Sequence, residues 1–175
     1  FEKCDGLPVK HIYFWNESVL GNIDSSIYPS SPWQSILMFS RVSAAMAMYA
    51  TITGCNAIHL RDYHVGLTLF YLNLEVLENP SVVFTIHNAT YQGWVEIWKD
   101  PAPVMYEISL PLEYYYKYFQ YWGHFNTMKG ILIKMNEIGG AVTTVSEGYA
   151  QELYWTEGDI REMAMIEGYP NPGKV

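Results

Sequence analysis

The run Val82-Val83-Phe84-Thr85-Ile86 stops at His87-Asn88, and the turn residue Gly93 follows within the next few positions. A short β-branched and aromatic run reads as a buried strand. Polar side chains gathered where such a strand ends are where open α/β sheets bind ligands. The same arrangement occurs upstream, where Ala57-Ile58-His59-Leu60 is strand-like and runs into Arg61-Asp62-Tyr63-His64. Two strand ends carrying Asp, His, His and Asn point to one polar pocket. That pocket exists only if the strands are parallel, so that their C-terminal ends share an edge.

The rest of the chain supplies the crossovers that a parallel sheet requires. Four strands are expected, at Val9–Phe14, Ala57–Leu60, Val82–Ile86 and Ala141–Val145. Ser31-Pro32 is a helix start, with an N-cap followed by proline at the first helical position. From there Trp33, Ile36, Leu37, Ser40, Ala44, Ala47 and Met48 fall near one face. Helical spacing recurs over His64–Leu77 (Leu67, Phe70, Tyr71, Leu74, Leu77) and over Phe125–Met135 (Phe125, Met128, Leu132, Met135). Ser146 is an N-cap for a last helix through Tyr154, with Glu147 well placed against the helix dipole. This alternation predicts an α/β fold, a Rossmann-like parallel sheet flanked by helices. Residues 95–122 break the rhythm with Pro101, Pro103, Pro111 and a run of aromatics, and read as an excursion from the sheet. Gly168–Gly173 reads as a turn or linker.

The chain has 175 residues, enough for one domain with a sizeable core. Half of the residues are hydrophobic, with 15 Tyr, 6 Trp and 7 Phe, which excludes a disordered chain. The net charge is -8 and the ten basic residues are dispersed, so no nucleic-acid partner is expected. Cys4 and Cys55 suit neither a disulfide framework nor a zinc site, and read as reduced, buried thiols. The start, Phe1-Glu2-Lys3-Cys4-Asp5, has neither an apolar signal segment nor a methionine, as expected of a piece of a longer chain. Val42–Leu60 is uncharged for nineteen residues but divides into a helix and a strand, so it is not read as a membrane span.

Asp62, His64, His87, Asn88 and Ser146 would face the crevice at the strand ends. A carboxylate accepts hydrogen bonds, a neutral imidazole offers a donor and an acceptor, and an amide offers both, an inventory suited to a ligand covered in hydroxyls. Loop Asp and Asn equally often serve turns. His59 and His11, inside strands, read as hydrogen-bonded core histidines, whereas His124 beside Gly123 fits either role. Tyr106, Tyr114, Tyr115, Tyr116, Tyr118, Phe119, Tyr121 and Trp122 crowd seventeen residues. They are either a stacking surface for glucan chains or a helix whose Tyr114, Tyr118, Tyr121 and Trp122 line a core face; the helical spacing favours the second.

Several chemistries lack their residues. There is no Gly-x-Gly-x-x-Gly, no Walker loop and no helical His-Glu-x-x-His. Thr144-Val145-Ser146-Glu147-Gly148 sits like a nucleophile elbow, but its first glycine is replaced and no histidine follows Ser146. Asp62-Tyr63-His64 could contribute two ligands to a metal-dependent phosphoesterase, yet no further carboxylate cluster furnishes a two-metal site. No metal and no cofactor are expected.

Four segments together resemble the N-terminal, starch-synthase-type catalytic domain of glycogen and starch synthases. Ala57–Leu67 is similar to that family's His-x-Asp-Trp/Tyr-His-x-x-Leu segment, and Phe84–Gly93 to its Thr-hydrophobic-His-Asn-x-x-Tyr/Phe-Gln-Gly segment. Phe125–Leu132 resembles its Asn-x-hydrophobic-Lys-x-Gly helix start. Ala141–Glu152 is similar to its Val-Thr-Thr-Val-Ser-x-x-Tyr-Ala-x-Glu segment. Asp24-Ser25-Ser26-Ile27-Tyr28 and Tyr169-Pro170-Asn171-Pro172 resemble segments of the fungal-type alpha-1,3-glucan synthases.

The resemblance implies one half of a two-domain, GT-B-type glycosyltransferase, with residues 1–175 forming a partial N-terminal, acceptor-side Rossmann-like domain. Such enzymes transfer glucose, with retention, from a nucleotide-glucose donor substrate to a growing α-glucan acceptor. By position, His87 and Asp62 would be the catalytic pair, and His64, Asn88, Tyr91, Gln92 and Asn126 substrate-binding or supporting residues. The family's Lys-x-Gly-Gly donor loop and its C-terminal nucleotide-binding domain have no counterpart here, so the fragment alone is expected to be inactive. Arg61 replaces a residue that is usually small or uncharged. The implied location is cytoplasmic, or the cytoplasmic face of a membrane as part of a larger membrane protein. The alternatives are a non-catalytic glucan-binding module and the metal-dependent phosphoesterase.

Overall fold

The computed structural model describes residues 32–97 and 100–155. The expected strand at Val9–Phe14, the Ser31 cap, His11, Cys4, the Asp24–Tyr28 segment and the proline-rich turn at the C-terminus lie outside them. Three of the four expected strands are present as β1 (Ala57–Arg61), β2 (Ser81–Ile86) and β6 (Ala141–Thr144). They pair in parallel in the order β1-β2-β6, with Leu60 opposite Phe84 and Phe84 opposite Val142. Both steps run in one direction, so right-handed crossovers place their helices on one face of the sheet.

That face is the core. Leu60, Val82, Phe84, Ile86 and Val142 pack against Met128, Ile131 and Met135 of helix α6 (Thr127–Glu137) and Leu153 of α7 (Glu147–Trp155). The opposite face is the more open one: Ala57, His59, Arg61, Ser81 and Ala141 are exposed. His59 is therefore not a core histidine. Strand alternation turns its ring to this open face, although it is hydrogen-bonded as expected, with Nε2 2.7 Å from Thr85 Oγ1. Thr85 continues the chain of bonds to Thr143 Oγ1 at 2.8 Å. Cys55 is half-exposed rather than buried.

Helix α1 (Pro32–Thr53) begins at the expected proline. It is the one helix among the described residues long and apolar enough to cross a membrane by length and composition. Its Ile36 and Ala47 are buried, and Phe39 and Met46 pack on the core. The sequence predicts one helix over His64–Leu77, but the chain forms two short turns, α2 (Asp62–Gly66) and α3 (Thr68–Tyr71), and then leaves helical geometry. Leu72 is extended, and the Asn73 side chain accepts from the Val76 amide at 3.2 Å. Asparagine offers the backbone an alternative to the helical ladder.

The excursion is a second, antiparallel sheet. Its order is β3-β5-β4, made of β3 (Trp94–Glu96), β4 (Gln120–Tyr121) and β5 (His124–Asn126). Between β3 and β4 run α4 (Ala102–Glu107), α5 (Leu112–Tyr114) and a π-helical turn, Tyr115–Phe119. The aromatic run is thus not one helix with Tyr114, Tyr118, Tyr121 and Trp122 inward. Tyr115, Tyr118, Phe119 and Tyr121 are buried, while Trp122 is 74% exposed at the hairpin tip. Trp122 and Gly123 both have positive φ (50° and 80°), as a two-residue hairpin turn of type I′ requires. Phe125 correspondingly belongs to a strand rather than to the following helix. The helix starts one residue later than Asn126, whose side chain caps it by accepting from the Lys129 amide at 2.9 Å.

Candidate functional site

The C-terminal ends of β1, β2 and β6 bring Asp62, His87 and the Val145-Ser146 turn to one edge. Asp62 follows β1 directly, with φ at 57°, a left-handed conformation that Asp tolerates better than most residues. Its carboxylate reaches across to the next strand. Oδ1 accepts from the His87 amide at 2.8 Å and from the Asn88 amide at 3.3 Å. Asp62 therefore holds the backbone at the end of β2, and the side chains of His87 and Asn88 remain exposed. The Asn88 carboxamide oxygen accepts from the Thr90 amide at 3.0 Å, so it also shapes its own turn.

The other expected site residues occupy different surroundings. Half-buried His64 stacks on Tyr63 at 4.0 Å between centroids and meets Phe39 edge-on at 4.8 Å. Burial pushes its imidazole below the usual pKa of 6.5, against the opposing pull of Asp62. Tyr91 is 63% exposed on the loop that follows. Gln92 and Asn126 are buried and bonded to each other: Gln92 Oε1 accepts from Asn126 Nδ2 and from Trp94 Nε1, both at 2.8 Å. The Gln92 carbonyl also accepts from the Met128 amide at 3.0 Å. These two residues tie the loop after β2 to the start of α6. Gly93, at φ 69°, completes the bracket, since a Cβ there would press on Thr127 and Tyr63.

Two contacts at this edge have no counterpart among the expected site residues. Thr144 Oγ1 donates to the Ile86 carbonyl at 2.8 Å, and the Tyr149 hydroxyl accepts from the Ala89 amide at 2.9 Å. The available signal was Tyr149's place three residues after the cap Ser146, whose Oγ accepts the Tyr149 amide at 3.1 Å. Among the described residues no three His, Cys, Asp or Glu side chains gather as metal ligands. An open cleft of about 370 Å³ between Leu72, Asn73, Tyr114 and Lys134 does not include Asp62 or His87.

A parallel sheet with its polar residues collected at the C-terminal edge is the ligand-binding arrangement of α/β proteins. The fold is similar to the catalytic domain of starch synthase IV from Arabidopsis thaliana bound to ADP and acarbose, with a TM-score of 0.61 at 23% identity over 81% of this chain and 29% of that one. The class is therefore a parallel α/β sheet flanked by helices, the fold found in that starch synthase catalytic domain. A family model described as the starch synthase catalytic domain matches residues 7–164, and the chain belongs to that family. Glycogen synthase 2 of Geobacter sulfurreducens is 35% identical over 104 residues, 56% of this chain and 20% of that protein. The glycogen synthase of Bacillus licheniformis is 28% identical over 151 residues, 82% of this chain and 28% of that protein. The chain thus spans between a fifth and a third of the length of these relatives.

Proposed function

We propose that this chain is the acceptor-side part of a glucan synthase that transfers glucose from a nucleotide-glucose donor to a growing α-glucan. The observation that carries the reading is the contact between Asp62 and the His87 amide at 2.8 Å, which joins the two most informative motif segments at one sheet edge. A donor glucose needs several fixed hydrogen bonds to align its anomeric carbon. In this reading the exposed His87 imidazole stands beside the donor sugar, and Asp62 fixes the loop that presents it. The Asn88 side-chain nitrogen, Nδ2, meets a sugar hydroxyl, with His64 and Tyr91 at the margin and Gln92 and Asn126 as the frame beneath.

The finer reading is a retaining transferase of the alpha-1,3-glucan branch, supported by Asp24-Ser25-Ser26-Ile27-Tyr28 and Tyr169-Pro170-Asn171-Pro172. Residues 1–175 would be a partial N-terminal domain, completed in the full protein by a Lys-x-Gly-Gly donor loop and a C-terminal nucleotide-binding domain. Stabilising the charge of a leaving diphosphate is often the largest catalytic term. That task would fall to the second domain, so the isolated fragment turns over little substrate. Helix α1 would be a core helix rather than a membrane span, and the protein would act in the cytoplasm or on the cytoplasmic face of a membrane.

In the full-length protein His87→Ala should lower glucosyl transfer by about tenfold or more while leaving the fold intact, as loss of a group at the reacting centre does. Transfer at the wild-type rate by a folded variant would sink the assignment. A second reading, a glucan-binding module without catalysis, has support in the exposed rings of Tyr106 (84%), Tyr116 (63%) and Trp122 (74%). It is favoured if binding to insoluble α-glucan survives His87→Ala but fails with Tyr116→Ala and Trp122→Ala.

A further inference from the structure

Three consecutive amides after β2 end on side chains from outside their own segment. Asp62 takes the amides of His87 and Asn88, and Tyr149 takes that of Ala89. On the far side Thr144 holds the Ile86 carbonyl. The segment from Ile86 to Ala89 is thus gripped from the β1 side by Asp62 and from the β6 side by Thr144 and Tyr149. Ala89 is fully buried (0% exposed), so its amide has no water to turn to if the hydroxyl is lost. Tyr149 is itself set in place: Ser146 holds its amide, and its ring packs on the core.

We propose that Tyr149 is a positioning residue for glucosyl transfer, fixing through the Ala89 amide where the His87 imidazole stands. The inference rests on the transferase reading above and adds a residue to it. Tyr149 touches no reacting atom; it acts by holding one side of a loop whose other side Asp62 holds, and a displacement of about an ångström at a reacting group is enough to cost turnover.

The test is Tyr149→Phe in the full-length protein, which removes the hydroxyl and keeps the ring. Exchange of the Ala89 amide should speed up by about tenfold, in line with one lost hydrogen bond. With a nucleotide-glucose donor, kcat should fall by about tenfold and KM should change by less than about twofold. The same substitution in a His87→Ala background should change the residual rate by less than about twofold, because neighbours acting through one group are not additive. Unchanged Ala89 exchange overturns the proposal. So does a change confined to KM, or an equal loss in both backgrounds, which marks a merely structural role. If the wild-type protein transfers glucose from no nucleotide donor, the transferase reading fails by itself. The clamp is then judged by the His87 ring resonances, and no shift in them with Tyr149→Phe removes it too.

Discussion

Asp62 and Trp122 are both non-glycine residues in the left-handed region, at φ 57° and 50°, but they belong to regions held together in opposite ways. Around Asp62 the chain is fixed by directional bonds to backbone groups, and the side chains of His87 and Asn88 stay exposed. Around Trp122 the chain is fixed by rings. Phe119 and Phe125 stack at 4.5 Å with planes 15° apart, and Phe70 leans on Phe119 at 4.8 Å. Beside them Glu137 accepts from Tyr118 at 2.9 Å and pairs with Lys117 at 2.8 Å. Partial burial pushes the Glu137 carboxyl up, but its bonds to Lys117 and Tyr118 outweigh this and hold it below the usual range. Hydrogen bonds to the backbone order a loop without using up its side chains, which is what a binding edge needs. Ring packing orders a segment by filling volume and commits the side chains to it.

The sharpest way to break the comparison is to remove a ring. Phe125 is fully buried and stacked, so Phe125→Ala should destabilise the full-length protein by about 3–5 kcal/mol in urea unfolding. A loss under about 1 kcal/mol would mean that the excursion collapses around the gap and is not held by its rings. At the hairpin tip the expectation reverses. Trp122 is exposed in a conformation that costs a bulky residue about 1 kcal/mol, and Asn-Gly is the favoured pair for such a turn. Trp122→Asn should therefore stabilise the protein by about 0.5–1 kcal/mol in the same experiment. A destabilised variant would mean that the ring's edge-on contact with Tyr121, at 6.4 Å, outweighs the backbone strain.

The same contrast explains which parts were legible in the sequence. The three strands of the parallel sheet, the proline start of α1 and the Ser146 cap follow from local patterns, and each sits where its residues point. The excursion does not, because Tyr114–Trp122 has helical spacing, yet the turn at Trp122-Gly123 decides that Tyr121 and Phe125 lie in strands. The helix expected over His64–Leu77 is interrupted at Leu67 and ends at Tyr71, and beyond it the Asn73 side chain holds a turn through the Val76 amide. His59 was misplaced because burial was inferred from its strand, whereas which face it shows depends on the covering helices. At the site, the meeting of Asp62 and the His87 segment could be read from the strand ends. That the carboxylate would grip amides, and that Tyr149 would complete the grip, depends on sheet register and on how α7 lies against the loop after β2, which no local pattern encodes.

At the strand end itself, one residue is held by rings. His64 lies two residues after the pinning Asp62, yet it is held by stacking on Tyr63 and Phe39. Its imidazole is pushed below the ordinary pKa of 6.5 by burial, so the unfolded chain takes up the proton first as pH falls. Above about pH 6.5 the residue is neutral in both states and its burial carries no penalty; below that, stability is lost until the folded-state value has been passed. His64→Phe keeps a ring in the stack and removes the titration. Between about pH 7.5 and 5.5 the wild-type Tm should fall by about 1–2 °C more than that of the variant, a small difference because the group is only half-buried and screened by solvent. Parallel pH curves would place His64 with the solvated strand end rather than with the rings.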